Sequence, residues 1–215
     1  MSSALTWIAP VFTVAVLVAY EAALSLGRRR SPARLARTAH AALREEWFIA
    51  ISQQPGSEIL AVQTLRNALM SATMTASTAV LGLIGTVTLA APSLNANFGD
   101  AAMGLPNFSA RLALELVLLT LLFASLVASA MAVRYYNHAG FIGAMPVGSD
   151  ARQRWADTGV AYVRRAGLLY SWGLRNLVLI APILASLLHP AAGPVAAVVV
   201  VAVLFGFDRF IAVES

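Results

Sequence analysis

Residues 112–133, between Arg111 and Arg134, have the sequence LALELVLLTLLFASLVASAMAV. As an α-helix, these 22 residues would extend about 33 Å, because each residue adds about 1.5 Å. The hydrocarbon core of a bilayer is about 30 Å thick. The stretch therefore predicts one helix that crosses a membrane, and Ser109 is expected to cap its start.

Similar apolar stretches precede and follow this one, with short polar connections between them. Together they predict an all-α, polytopic transmembrane helical bundle that forms a single domain. The last two stretches share one turn from His189-Pro190 to Gly193-Pro194, so the alternative is four spans and a re-entrant hairpin. Pro92 is expected to end the second span. The five predicted spans are residues 5–26, 61–91, 111–136, 166–188 and 195–213.

The overall composition agrees with a membrane protein and disfavours other classes. Of 215 residues, 59% are hydrophobic and 12% are charged, whereas a soluble domain has about 25% charged residues. The mean hydropathy is +0.75. The chain has no cysteine and 3 histidines, so neither thiolate chemistry nor a metal-binding motif is expected. We therefore expect neither an enzyme nor a nucleic-acid-binding protein, and the sequence indicates no particular cofactor.

Two polar connections, 27–60 and 137–165, are each predicted to contain an interfacial amphipathic helix. In the first, Ser31-Pro32 is typical of a helix start and Gln54-Pro55-Gly56 of a helix end. In the second, Ser149-Asp150 is typical of a helix start. The first helix either lies in the headgroup region or packs on the bundle. Its predicted apolar face consists of Leu35, Ala39, Leu43, Trp47 and Ile51.

The distribution of arginine predicts the orientation. All 15 basic residues are arginines, with six in 27–60, four in 135–165 and none in 92–110 or 189–194. Loops rich in basic residues stay on the cytoplasmic side. Five spans then place the N-terminus outside and the C-terminus inside a bacterial inner membrane. Anionic phospholipids are expected to bind the arginines that follow the first span: Arg28, Arg29, Arg30, Arg34 and Arg37.

Several polar side chains lie within the predicted spans, where ionisable groups are costly and often functional. Arg175 is deep in the fourth span, so it should find a carboxylate, with Glu21 the first choice and Asp208 the second. Such an ion pair either fixes helix register or belongs to a polar path. The residues of this predicted path or pair are Glu21, Arg66, Asn67, Arg175, Asn176 and Asp208.

A polar and aromatic cluster is predicted at the inner end of the third span. It consists of Tyr135, Tyr136, Asn137 and His138. A histidine in this position can bind haem, relay protons or sense pH. The alternative is that it caps the helix and meets lipid headgroups.

Three motifs resemble a known family. They are ILAVQTLRNALM at 59–70, RYYNHAGF at 134–141 and YSWGLR at 170–175. In this order they resemble the bacterial and plant membrane proteins grouped as domain of unknown function 599, over about residues 20–205. The resemblance implies a protein with several membrane spans and supplies no established reaction.

These observations favour a homo-oligomeric channel or transporter-like protein, in which Glu21, Arg66 and Arg175 line or gate a polar path. The alternative is a non-catalytic accessory subunit of a larger membrane complex. In that case the same arginines would hold unlike membrane subunits or anionic lipid.

Overall fold

The computed structural model describes residues 3–30, 36–98 and 108–208, and within these ranges the chain consists of helices and short connections. The prediction of an all-α protein is therefore confirmed for the described residues. The helices are α1 (Ser3–Arg30), α2 (Ala36–Gln53), α3 (Glu58–Phe98), α4 (Ala110–Ala144), α5 (Asp150–Leu188) and α6 (Ala192–Asp208).

Four of these helices, α1, α3, α4 and α5, are long and apolar enough to cross a membrane. The apolar helix α6 is shorter, with 17 described residues. The chain thus has the helices of a membrane protein, while the number of spans and their boundaries stay predictions.

Serine side chains cap two helices as the sequence predicts. The Leu112 N–H donates to the Ser109 hydroxyl at 3.2 Å, and the Arg152 N–H donates to the Ser149 hydroxyl at 3.3 Å. Each bond satisfies a backbone donor that has no partner inside its helix. Helix α2 ends at Gln53, directly before the predicted breaker. The predicted start at Ser31-Pro32 lies outside the described residues.

Helix α3 continues through Pro92 to Phe98, whereas Pro92 was expected to end the second span. A proline inside a helix removes one backbone hydrogen bond. The other backbone groups of an apolar helix have no water to bond with, so leaving the helix costs more than this one lost bond.

Segment 137–165 also differs from the expectation of a separate interfacial helix. Helix α4 continues to Ala144, and α5 begins at Asp150 and runs without a break to Leu188. No proline occurs between Asp150 and Ala181, so nothing in the sequence separates the polar start of α5 from its apolar end. The polar part of the segment is therefore the first half of a long helix.

The described contacts divide the chain into two compact units. The first unit consists of Met1–Arg30, Thr78–Ala124 and Arg175–Phe207. Its core is formed by leucines, isoleucines and an alanine from α1, α4, α5 and α6, among them Leu17, Leu118, Ile183 and Ala197.

The second unit consists of Ser31–Ser77, Ser125–Leu174 and Asp208–Ser215. In its core, α2 packs Phe48 and Ile51 against residues of α3, α4 and α5. Phe48 is 1% exposed, and a Cβ at Gly159 would lie 2.5 Å from its ring. A glycine at this position therefore makes room for the ring.

The buried face of α2 agrees only in part with the predicted one. Ile51 is buried as predicted and Trp47 packs partly buried against the core, whereas Leu43 is 62% exposed. The other buried residues are Ala36, Ala41 and Phe48. Residues spaced every four advance about 40° around a helix that has 3.6 residues per turn. The predicted stripe, of which Leu35 lies outside the described residues, therefore drifts off any single face.

Candidate functional site

A buried ion pair joins α1 to α5 in the first unit. The Arg175 guanidinium donates from Nε to Oε1 of Glu21. The Arg175 side chain is 4% exposed and that of Glu21 is 28% exposed. The ring of Tyr20 lies 5.2 Å from Arg175 Cζ, within the range of a cation–π contact. Arg175 is thus a buried cation that is paired with a carboxylate of a neighbouring apolar helix.

The other residues of the predicted polar path lie elsewhere. Arg66 and Asn67 are exposed on α3 in the second unit, which also includes Asp208. Asn176 is half-buried beside Arg175 on α5. Of the six predicted residues, Glu21 and Arg175 form an ion pair with each other.

A second ion pair in the first unit lies within α4. Arg111 Nε donates to Glu115 Oε1 at 2.9 Å, and the side chains are 64% and 2% exposed, respectively. The Ser93 hydroxyl donates to the same carboxylate oxygen at 3.4 Å. The two residues have the i,i+4 spacing of a helical ion pair, but the Glu115 carboxylate is buried while Arg111 is exposed.

Helical geometry divides the predicted polar and aromatic cluster. Tyr135 and His138 lie on one face of α4 and contact Tyr162 of α5, with ring centroids 5.4 and 5.8 Å apart. Tyr136 is buried in the core of the second unit, and Asn137 is exposed. Tyr162 is thus part of the cluster. The sequence did not reveal it, because it belongs to another helix.

Two residues of the third family motif, Trp172 and Gly173, have contacts within the second unit. The Ser125 hydroxyl donates to the Gly173 carbonyl at 2.8 Å. Arg37 of α2 lies over the Trp172 ring, with its Cζ 4.5 Å from the ring centroid. Arg37, predicted to bind lipid headgroups, therefore contacts an aromatic ring of its own unit. The side chains of Arg28, Arg29, Arg30 and Arg34 lie outside the described residues.

A groove of about 980 Å³ with both polar and apolar lining residues lies between α2 and the first half of α5 in the second unit. Its lining includes Arg152, Arg164 and Arg165 of α5 and Glu45 and Ser52 of α2. In the sequence these arginines had indicated orientation alone. At 3.6 residues per turn, Arg164 and Arg165 lie about 120° and 140° around the helix from Arg152, in opposite directions. Spacing along the sequence therefore gives no signal that the three arginines line one groove.

Arg152 is 3% exposed although it lies in the polar half of α5. Its Nη1 donates to the carbonyl oxygens of Gly143 and Met145 at 2.7 and 2.6 Å, and its Nη2 donates to the Ser52 hydroxyl at 3.2 Å. These bonds satisfy carbonyls at the end of α4, which a helix end otherwise leaves without partners. Arg152 therefore holds together α2, the end of α4 and the start of α5.

The comparisons with known proteins identify the family. A family model described as "Protein of unknown function, DUF599" matches residues 8–213. No curated protein and no solved structure matches the chain significantly. The matched range includes all three motifs and both members of the Glu21–Arg175 pair. The chain belongs to the DUF599 family, as its motifs had indicated.

Proposed function

We propose that the protein is a homo-oligomeric channel or transporter-like protein of the bacterial inner membrane, and that the Glu21–Arg175 pair controls its polar path. The observation that carries this proposal is an ion pair between two apolar helices, in which the Arg175 side chain is 4% exposed and the Glu21 side chain is 28% exposed. A charged side chain near the centre of a bilayer costs at least about 2.5 kcal/mol. Such residues commonly mark ion or substrate pathways. We assign no catalytic reaction to the protein.

The pair can respond to a permeating species in two ways. A proton that binds Glu21 removes its attraction for Arg175, and an anion can replace the carboxylate at the guanidinium. Glu21 is the more exposed member, so it is the member that a proton or solute can reach. The proposed gating step is therefore separation of the Glu21 carboxylate from Arg175.

Flux measurements in proteoliposomes test this role. The purified chain would be reconstituted into vesicles that contain a pH-sensitive or a chloride-sensitive dye, which report the flux of protons or chloride. In a separate assay, vesicle swelling would report the entry of glycerol or urea. We expect the wild-type protein to conduct at least one of these probes faster than empty vesicles do. The flux of that probe should change several-fold in the Glu21→Gln and Arg175→Gln variants. The control is Arg111→Gln, which breaks the α4 ion pair of the same unit and should leave the flux unchanged.

Two results would contradict the gating role. One is wild-type flux no greater than that of empty vesicles for every probe. The other is an equal effect of Arg111→Gln and Glu21→Gln, since the flux would then depend on any charge in the unit.

The exposed face of α3 supports a homo-oligomer. In the part of α3 that belongs to the second unit, Gln63, Asn67, Met70, Met74 and Ser77 are all exposed. Their spacing of four, three, four and three residues places them along one side of the helix, as in a helix pair. An amide facing lipid would lack hydrogen-bond partners, whereas two amides related by a two-fold axis can bond to each other. We therefore propose that a second copy of the chain packs against this face.

Single-cysteine crosslinking tests the oligomer, because the chain contains no cysteine of its own. We expect Met70→Cys and Met74→Cys to form covalent dimers under oxidation in membranes. The matched control is Ser71→Cys, also exposed but about 100° around the helix from position 70. Equal crosslinking at 70 and 71, or none at 70 and 74, would contradict the proposed interface.

The alternative is an accessory subunit, and the same exposed face favours it as well, since an unlike helix could occupy the face. The crosslinking experiment separates the two functions. A product with twice the chain's mass supports the homo-oligomer. A product joined to one unlike membrane protein, at 70 and 74 but not at 71, supports the accessory role.

A further inference from the structure

We propose that the groove between α2 and α5 binds a phosphate ester, meaning a phosphate group that carries an organic substituent. The groove belongs wholly to the second unit, and its site is separate from the Glu21–Arg175 pair. Its volume of about 980 Å³ is at the upper end of the range of about 300–1,000 Å³ for small-molecule sites. It is therefore large enough for an organic ligand.

The groove is long because α5 lines it with two adjacent rows of side chains. One row runs from Arg152 to Leu168 in steps of four residues, and the other runs from Gln153 to Arg165. The first row extends about 24 Å along the helix axis. Small residues in the middle of the rows, Ala156 and Ala161, leave room between the two helices. The ligand that fits is an extended molecule.

Arg152 supplies a fixed positive charge at one end. The hydrogen-bond partners of its Nη atoms, two backbone carbonyls and the Ser52 hydroxyl, are all neutral. Its buried Nε has no hydrogen-bond partner among the residues that the structure describes. Glu58 accepts a hydrogen bond from the backbone N–H of Val147 at 2.9 Å. Arg152 is thus held in place by hydrogen bonds to neutral groups, and the Glu58 carboxylate attracts it without forming a hydrogen bond to it.

The other end is also basic. Arg164 Nε forms an ion pair with Glu45 Oε1 at 3.1 Å. Arg165 is exposed, lines the groove and forms no ion pair within the described part of the chain. Asp157 is the second acid of the lining. Glu45 is matched by Arg164, and Glu58, which lies outside the lining, attracts Arg152. The exposed Arg165 is therefore the least compensated cation of the lining, and it favours an anion at this end of the groove.

The chemistry of the lining matches a phosphate ester better than a bare ion. Guanidinium groups bind phosphate oxygens through paired N–H donors. The amides of Gln53 and Gln153 can bond to hydroxyls of an organic substituent, and Ile49 and Val160 can contact its carbon atoms. Inorganic phosphate would leave most of the groove empty. The ester comes either from a soluble metabolite or from a lipid headgroup, because the apolar part of α5 follows Arg165 directly.

Binding to the full chain in detergent tests the proposal with two probes. Glycerol 3-phosphate represents the soluble source, and dioleoyl phosphatidylglycerol represents the lipid source. Native mass spectrometry and thermal shift would measure the affinity of wild type, Arg165→Gln and Arg154→Gln. Arg154 is exposed on the same helix but does not line the groove, so its variant makes the same charge change outside the site.

We expect Arg165→Gln to weaken binding of at least one probe by about fivefold or more, the effect of losing one charge-assisted hydrogen bond. Arg154→Gln should bind as wild type does. Ala156→Leu adds bulk inside the groove without changing charge, so it should weaken binding as well.

The outcomes separate the two sources of ligand. Binding of both probes indicates that the phosphate ester group is sufficient for binding, without a lipid tail. Binding of phosphatidylglycerol alone indicates a lipid site. The proposal is overturned if neither probe binds. It is also overturned if Arg154→Gln loses as much affinity as Arg165→Gln, or if Ala156→Leu binds as wild type does.

Discussion

The Ser129 hydroxyl on α4 lies against Gly173 on α5, in the space that a Cβ at position 173 would occupy. The backbone of α5 is held at the same place by the hydrogen bond from Ser125 to the Gly173 carbonyl. Small residues allow apolar helices to approach this closely. The glycine of the YSWGLR motif therefore has a packing role next to Arg175.

Gly173→Ala should lower the free energy of unfolding by about 1–3 kcal/mol, the usual cost of overpacking a well-packed contact. Thermal unfolding in detergent would measure it. Ser129→Ala, combined with Gly173→Ala, should restore part of the loss because it removes the clashing oxygen. The control is Gly140→Ala, where a Cβ would meet nothing within 4 Å and alanine should be as stable or more stable. Equal stability of the two alanine variants would contradict the close contact.

Arg175→Gln should destabilise the protein by about 3–5 kcal/mol, because it leaves the Glu21 carboxylate without its compensating charge. Glu21→Gln should be costly for the same reason. The double variant should cost clearly less than the sum of the two single variants. Chemical or thermal unfolding of the four proteins measures this coupling.

The exposed pair of Arg164 and Glu45 provides a matched control, since the Arg164 side chain is 58% exposed. Its coupling should be below about 1 kcal/mol. Additive losses for Glu21 and Arg175 would show that the two side chains do not stabilise each other, and Asp208 would then be tested in the same way.

The orientation can be measured with reporter fusions. A fusion at residue 100 should report the outside, and a fusion after residue 215 should report the inside, because the arginine-rich loops stay in the cytoplasm. The same side for both positions would contradict five spans. It would favour four spans with a re-entrant turn at His189-Pro190.

The arginine cluster at the end of α1 should bind anionic lipid. Replacing Arg28, Arg29 and Arg30 with glutamine should lower the amount of cardiolipin or phosphatidylglycerol that co-purifies, since each arginine near an anionic surface contributes about 1 kcal/mol. Lipid extraction followed by mass spectrometry measures it, with Arg154→Gln as the control. Unchanged lipid content would leave the cluster with a role in orientation alone.

The sequence predicted helix starts and stops well where the signal is a side chain next to its own backbone. Ser109 and Ser149 cap the helices that follow them, because a capping hydrogen bond spans three residues and needs no distant partner. Pro92 misled the prediction. The cost of one proline is local, whereas the benefit of continuing a helix among apolar groups depends on its surroundings.

The face that a helix buries was harder to predict. For α2 the sequence offered a stripe through Leu43, Trp47 and Ile51. Ile51 is buried, but Leu43 is exposed, and Phe48, outside the stripe, is the most buried residue of the helix. The choice depends on Gly159 of α5, which leaves room for the Phe48 ring. A pattern along one helix cannot contain that information, because it is a property of the neighbouring helix.

By itself the sequence determined the helical membrane class, the family and the need for a carboxylate near Arg175. These follow from composition, from local motifs and from the cost of a bare charge in an apolar environment. Tertiary structure decided that Glu21 meets Arg175, that Tyr162 joins Tyr135 and His138, and that Arg152 and Arg165 share a groove with α2. The physical reason is that side chains far apart along the chain meet only where helix packing, set by shape and volume, brings their faces together.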